Sequence, residues 1–211
     1  MTTTNGSGGH TVTSVEELER IYTPVNPNAV MKELDYVHPH YRALIEAAPF
    51  VAIASAGPEG LDCTPRGDAP GFVRIADEKT LMLPDRRGNN RIDTLRNIVK
   101  DGRVALLFLI PGIGETLRVN GRAVISIDPA LLESFAVDGK LPRSVLVVTV
   151  DRIYFQCSKA LVRSKLWDAS RQLPRSALPS TGTILAALSK GAVDGEAYDR
   201  ELPTRIPQQL Y

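Results

Sequence analysis

Seven short segments after residue 49 constrain the fold more than any other feature of the sequence. Each segment has the length and apolar character of a strand, and they read FVAIAS, LDCTPRG, GFVRIA, TLMLP, VALLFLI, TLRVNGRAVIS and VLVVTVDRIYFQCS. The breaks between them, GPEG, GDAPG, ADEK, PGIGE and VDGK, supply the Gly, Pro and Asp that tight turns need. This pattern predicts a mainly β fold with flanking helices, built around an antiparallel barrel.

One helix is predicted inside the strand series. Ile92, Leu95 and Val99 follow the i, i+3, i+7 spacing of one helix face. Asn90 is the predicted N-cap, and Gly102 is placed to end the helix. The segment PGIGE at 111–115 is predicted to be a hairpin turn, because a strand pattern follows it where a dinucleotide-binding motif would require a helix.

Further helices are predicted on both sides of the barrel. Ser14 and Glu17 form a capping-box pattern, and Pro39 precedes a second helical pattern with Leu44 and Ile45 on one face. After the last strand, SKALVRSKLWD and LPSTGTILAALSKG each predict a short helix.

Four regions follow from these patterns. Residues 1–13 are polar and Gly-rich and are predicted to be a disordered tail. We expect N-terminal helices at 14–48 that wrap the main domain, and a barrel domain at 49–168. The remaining residues, 169–211, are an extension predicted to pack on the barrel or on a dimer partner.

Composition excludes several classes of function. Lys and Arg number 25 against 24 Asp and Glu, so the chain lacks the basic field on which non-specific nucleic-acid binding depends. The longest apolar run, residues 104–110, is too short to cross a membrane. No secretory leader pattern opens the sequence, and the two cysteines, Cys63 and Cys157, lack CxxC spacing. We therefore expect a cytoplasmic protein with no membrane or nucleic-acid partner.

The stretch LPDRRGNNRIDTLRNI indicates an anion site. Arg86, Arg87 and Arg91 cluster at the predicted start of the helix, where the helix dipole already contributes positive charge. A bound phosphate would offset this repulsion and accept hydrogen bonds from the guanidinium groups and the free N–H groups. The alternative is a solvated face on which these arginines pair with Asp85 and Asp93.

A second arginine, Arg66, ends the strand in CTPRGDAPG and precedes a turn whose glycines allow a flat ligand to lie close to the backbone. The alternative is a simple turn arginine. In chain order, PRGDAPGFV, TLMLPDRRGNNRIDTLRNI, RVALLFLIPG and GETLRVNGRAVI resemble the FMN-binding split-barrel proteins related to pyridoxamine 5′-phosphate oxidase. The resemblance covers roughly residues 40–170 and is closest to the subgroup with TPRGDAPGF and DRRGNNR.

The resemblance implies an antiparallel FMN-binding split β-barrel, a homodimer with the flavin between subunits. It implies that Arg66 contacts the flavin, that the strand with Cys63, Thr64 and Pro65 lies against the ring, and that Pro84 and Asp85 touch its edge. The implied phosphate ligands are Arg87, Asn89, Asn90 and Arg91. Thr116 is the implied contact from the partner subunit, and Trp167, with Lys159 and Arg163, is implied to close the site. Arg96 lies beyond the reach of the helix start and is expected at the surface or in a dimer contact.

The alternative for Trp167 is a packing role at a helix end, and for Lys159 and Arg163 a solvated helix face. The sequence also departs from the oxidase itself. That enzyme carries an Arg-x-His motif near its C-terminus, whereas the last histidine here is His40, so oxidation of vitamin B6 is not expected.

No side chain is marked by its spacing as a general acid or base. Asp68 and Asp85 are the candidates near the ring, and each is expected to orient an arginine. His38 and His40 lack a supporting cluster of ligands, so no metal site is expected.

The leading hypothesis is an FMN-dependent oxidoreductase that acts with a small-molecule substrate or electron donor, neither of which is identified. The alternative is a non-catalytic flavin or haem carrier.

Overall fold

The computed structural model describes residues 10–211. Residues 1–9, most of the predicted disordered tail, lie outside the described residues. The chain divides between Glu33 and Leu34 into two compact units.

The first unit contains two short helices, α1 (Val15–Ile21) and α2 (Pro27–Met31). Ser14 caps α1 as predicted, because its hydroxyl accepts the Glu17 N–H, and the Glu17 carboxylate reaches back to the Thr13 N–H, one residue before the cap. Helix α2 was not predicted, although Asn26 caps it ahead of a proline in the first turn, which is a common start signal.

The second unit, Leu34–Tyr211, is a seven-stranded antiparallel sheet with flanking helices. Helix α3 (Pro39–Ala47) precedes the sheet and buries Tyr41 and Ile45. The strands are β1 (Phe50–Gly57), β2 (Gly60–Gly67), β3 (Arg74–Asp77), β4 (Thr80–Asp85), β5 (Arg103–Leu109), β6 (Thr116–Ser126) and β7 (Ser144–Gln156). Their order, β2-β1-β5-β6-β7-β4-β3, leaves β2 and β3 at the two edges, and all seven predicted strands are present.

The predicted helix within the strand series is α4 (Asp93–Asp101), and a second helix there, α5 (Pro129–Ser134), was missed. Beyond the sheet lie α6 (Lys159–Ser164) and α7 (Thr181–Leu188), both predicted, and α8 (Gly195–Arg205), which was missed. Three single 3₁₀ turns lie among them at Ala169–Arg171, Arg175–Ala177 and Pro207–Gln209. No helix within residues 10–211 is long and apolar enough to cross a membrane.

The core lies between the inward faces of the strands, α3 and α4. Its fully buried side chains include Ile45, Val51, Ile53, Leu81, Leu83, Leu106, Phe108, Leu117, Leu146 and Ile153. Gly121 is required by packing, because a Cβ there would lie 2.1 Å from the Thr149 carbonyl oxygen, beside a register shift in β6.

Helix α4 is fixed on the sheet by polar side chains as well as by Ile98. The Thr94 hydroxyl donates to the Asp62 carboxylate on β2, and the Asn97 amide donates to the Ser55 hydroxyl on β1, 3.1 Å away. These contacts bring the start of α4 beside the end of β2, which is where the candidate site lies.

Candidate functional site

A cavity of about 620 Å³ lies beside the start of α4. Its volume is within the range of small-molecule and cofactor sites, roughly 300–1,000 Å³. Four separate stretches of the chain line it: residues 64–72 around the end of β2, residues 84–95 from the end of β4 into α4, residues 143–144 at the start of β7, and residues 209–211. The cavity therefore forms only when distant parts of the sequence meet.

The structure brings together most of the residues named from the sequence. Nine of the eleven line this cavity: Thr64, Pro65, Arg66, Pro84, Asp85, Arg87, Asn89, Asn90 and Arg91. Arg96 does not line it and is exposed, as expected.

Thr116 and Trp167 do not line the cavity. Thr116 is buried at the start of β6, where it pairs with Gln156. The Trp167 indole N–H donates to the Ile113 carbonyl oxygen, 2.8 Å away, and so ties the segment after α6 to the β5–β6 turn. This contact fits the packing alternative for Trp167. Contacts of either residue with a partner-bound flavin remain a prediction.

The turn before α4 differs from the predicted cap. Asn90 does not cap the helix, which begins two residues later than predicted, with Ile92 as an N-cap that makes no side-chain cap hydrogen bond. Asn90 instead adopts a left-handed conformation (φ 61°), which asparagine tolerates better than most residues, and its side-chain oxygen accepts a 2.7 Å hydrogen bond from Arg143. The predicted helix end at Gly102 is confirmed.

The N–H groups of the first turn of α4 are consequently left without a side-chain cap beside the cavity, which Ile92, Thr94 and Leu95 line. Such groups are hydrogen-bond donors for an anion.

The arginines of this turn differ in their partners. Arg91 pairs with Asp93 at 2.5 Å on an exposed surface, as the alternative of a solvated face predicted. The Arg87 guanidinium makes no hydrogen bond or ion pair within residues 10–211, although Arg87 lines the cavity. Arg87 is therefore the cation of this turn that is free to bind a ligand.

Arg66 and Asp85 form the first of two aspartate–arginine pairs in the cavity. Arg66 donates to the Thr64 hydroxyl at 3.0 Å and lies 3.4 Å from Asp85. Burial raises the pKa of Asp85 above the usual range for aspartate, although Arg66 and Arg143 both oppose the shift. Asp85 therefore holds a proton to higher pH than an exposed aspartate does.

Next to this pair, the Ser144 hydroxyl is buried and has no hydrogen-bond partner within residues 10–211. Ser144 is paired with Asp85 across β4 and β7 and lines the cavity. A buried hydroxyl without a partner is costly, since its hydrogen bonds to water are lost and not replaced. A polar ligand in the cavity would supply the missing partner.

Arg86 and Asp68 form the second pair. Arg86 Nε donates to Asp68 at 2.9 Å, and Arg86 Nη1 donates to the Phe135 carbonyl oxygen at 2.7 Å. Asp68 also accepts hydrogen bonds from the Ala69 N–H (2.8 Å) and the Tyr211 hydroxyl (2.6 Å). Burial alone would raise the pKa of Asp68, but these hydrogen bonds outweigh burial and lower it.

The expectation that Asp68 and Asp85 each orient an arginine is thus confirmed. Sequence reasoning missed two of the four stretches that line the cavity, residues 143–144 and residues 209–211. Tyr211 lies 143 positions from Asp68, and no local pattern signals a contact over that separation.

The histidines have a structural role. The His38 ring nitrogen Nδ1 accepts the His40 N–H at 3.2 Å and so caps α3.

The central part of the chain matches a known protein family. The sequence profile described as pyridoxamine 5′-phosphate oxidase matches residues 37–157, more than half of the chain. The chain belongs to the pyridoxamine 5′-phosphate oxidase family. The predicted fold, an antiparallel split β-barrel with flanking helices, is confirmed with it.

Among curated proteins, none matches this chain in sequence. Solved structures with a similar fold include HupZ of Group A Streptococcus, which is 20% identical over 57% of this chain and 94% of its own, with a TM-score of 0.47.

Two others are a Clostridium acetobutylicum protein related to general stress protein 26 and an FMN-binding protein of Syntrophomonas wolfei. The first is 17% identical over 56% of this chain and 86% of its own, with a TM-score of 0.41. The second is 13% identical over 61% and 90%, with the same TM-score of 0.41.

Proposed function

We propose that this protein is an FMN-binding flavoprotein that acts as an oxidoreductase on a small molecule. The observation that carries the proposal is the free Arg87 guanidinium beside the uncapped start of α4. Together they offer a cation and backbone N–H donors to one phosphate group. FMN carries such a phosphate at the end of the ribityl chain attached to its flat ring, and family membership makes it the cofactor to test.

A second group of cavity side chains suits the flavin ring. Arg66, Asp85 and Ser144 combine a cation, a carboxyl with a raised pKa and an unpartnered hydroxyl. These groups match the mixed donors and acceptors of a flavin ring edge. Bound FMN supplies hydride or electron transfer, while the protein binds and orients it. Asp85 is the group of this set that can take up or release a proton next to the ring.

The same lining favours a flavin over haem. Haem iron is held by His, Cys, Met or Tyr side chains. Tyr211 alone among these types lines the described cavity, and its hydroxyl is already bound to Asp68.

We further propose that the protein is a cytoplasmic homodimer. The outward faces of β1 and β5 carry Ala52, Ala54, Ala105 and Leu107, paired in register. An outward face of an antiparallel sheet is ordinarily polar when water covers it, so this apolar face is suited to a second copy of the chain. Sedimentation should give twice the mass of one chain, and Leu107→Asp should give the monomer.

The absorption spectrum of the purified protein tests flavin binding first. We expect a yellow protein, or a colourless one that quenches the fluorescence of added FMN. Arg87→Ala should weaken FMN binding by about 1.5–3 kcal/mol, as expected for hydrogen bonds to a charged group. Arg91→Ala should weaken it less, because Asp93 already engages that side chain.

Arg96→Ala is the matched control, because it removes a nearby arginine, within α4, that does not line the cavity. Equal losses in Arg87→Ala and Arg96→Ala would contradict the phosphate assignment. Reduction of the bound flavin by NADPH, NADH or a reduced deazaflavin would support an oxidoreductase. A yellow protein that none of these donors reduces would favour a flavin carrier.

A further inference from the structure

The segment 207–211 forms one wall of the cavity. Gln209, Leu210 and Tyr211 line it, although they are remote in sequence from every other lining residue. Gln209 and Leu210 are exposed, whereas Tyr211 is half-buried. The segment therefore reaches the cavity through one anchoring side chain.

Tyr211 is held at two points. Its hydroxyl donates to Asp68 Oδ1 at 2.6 Å, and the Arg86 guanidinium carbon lies 5.2 Å from the centre of its ring, within the range of a cation–π contact. Within the described chain, the other hydrogen bonds of residues 206–211 are local backbone bonds, in which the Ile206 N–H donates to Leu202 and the Gln209 N–H donates to Ile206. The Tyr211 side chain is thus the hydrogen-bonded link between this segment and the barrel.

The two groups that contact Tyr211 are also held in place by other hydrogen bonds. Asp68 is fixed by the Ala69 N–H and by Arg86, and Arg86 is fixed by the Phe135 carbonyl oxygen. If Tyr211 leaves, Asp68 keeps two hydrogen bonds and the docking place keeps its shape. An anchor that can leave a preformed docking place is suited to repeated opening and closing.

We propose that residues 207–211 are a lid over the cavity, that the Tyr211–Asp68 hydrogen bond is its latch, and that ligand exchange requires the latch to open. The part of this proposal that concerns FMN rests on the proposed function. The latch itself is a property of the protein without ligand.

The latch is tested first without ligand, by ¹⁵N relaxation of the full-length protein. We expect the amides of Leu210 and Tyr211 to have order parameters near about 0.85, as for rigid backbone, and Tyr211→Phe to lower them toward about 0.6. Tyr198→Phe is the matched control, because the Tyr198 ring faces Arg205 on α8 and does not line the cavity. Unchanged order parameters in Tyr211→Phe, or mobile residues in the native protein, would overturn the latch.

Exchange is then measured by stopped-flow fluorescence with FMN. Because a hydrogen bond to a charged group is lost, we expect both association and dissociation to become about tenfold faster in Tyr211→Phe. A faster dissociation with unchanged association would make Tyr211 a simple ligand contact and would overturn the lid. Failure of the native protein to bind FMN would contradict the proposed function, while the relaxation data would still decide the latch.

Discussion

The cavity contains two aspartate–arginine pairs that differ in how completely each carboxylate is satisfied. Asp68 accepts hydrogen bonds from a backbone N–H, a guanidinium and a phenol. Asp85 has one side-chain partner within the described chain, Arg66 at 3.4 Å. The Asp68 carboxylate is therefore satisfied by protein groups alone, whereas the Asp85 carboxylate can still form hydrogen bonds with a ligand.

The largest difference between the two pairs is expected in the free energy of unfolding that is lost when each arginine is replaced. Arg86→Met leaves the nearly buried Asp68 carboxylate without its cation and should lower the free energy of unfolding by about 3 kcal/mol. Arg66→Met should cost only about 1 kcal/mol, because Asp85 can be protonated and its ion pair is long. Urea unfolding of the ligand-free variants measures both values. Equal losses would show that the two pairs are equivalent.

A smaller difference is expected in the pH dependence of stability. The pKa of Asp68 is lowered by folding, so its contribution is present above the unfolded value, near 3.8, and is lost as pH falls through the folded pKa. The pKa of Asp85 is raised, so its contribution is present below 3.8 and is lost as pH rises through the folded pKa.

Asp68→Asn should therefore flatten the stability profile below pH 3.8, and Asp85→Asn should flatten it above pH 3.8. Thermal unfolding across this range distinguishes the two. The same change of profile in both variants would contradict the opposite pKa shifts.

The smallest effect is expected at Ser144, the buried residue beside Asp85 that lines the cavity. Ser144→Ala removes a buried hydroxyl without a partner and should leave the ligand-free protein as stable or up to about 1 kcal/mol more stable. The same change should weaken FMN binding by about 1 kcal/mol. Ser55→Ala is the matched control, because the buried Ser55 hydroxyl accepts a hydrogen bond from Asn97 and its loss should destabilise the fold. Destabilisation by both changes would indicate that Ser144 already has a partner.

Local signals made the strands and most of the cavity residues before α4 predictable. The segments between consecutive strands contain or directly follow Gly, Pro or Asp, and Arg87 and Asn89 lie within one contiguous motif that also contains the turn. Helix α5 had a readable start as well, since Asp128 caps it and Pro129 follows at the first position. Helix α8 was not predicted because it contains Pro203, and proline is disfavoured in the interior of a helix.

The features of the site that could not be predicted depend on contacts between residues that are distant in the sequence. The left-handed backbone of Asn90 is accompanied by a hydrogen bond from Arg143, which is 53 positions away. The pairing of β4 with β7 places Ser144 beside Asp85, and its hydroxyl has no hydrogen-bond partner within residues 10–211. The helix propensity of Asn90 does not predict its hydrogen bond with Arg143, and the hydropathy of Ser144 does not predict its buried position beside Asp85. Neither feature could therefore be predicted from the sequence.

The assembly of the cavity from four distant stretches has a consequence for the protein's abundance in a cell. A molecule held by all four stretches binds the native chain and has no counterpart site in the unfolded chain. By mass action, free ligand at a hundred times its dissociation constant would stabilise the fold by about 2.7 kcal/mol. Scarcity of that ligand would raise the unfolded fraction available to proteases, so the level of the protein would follow the supply of what it binds.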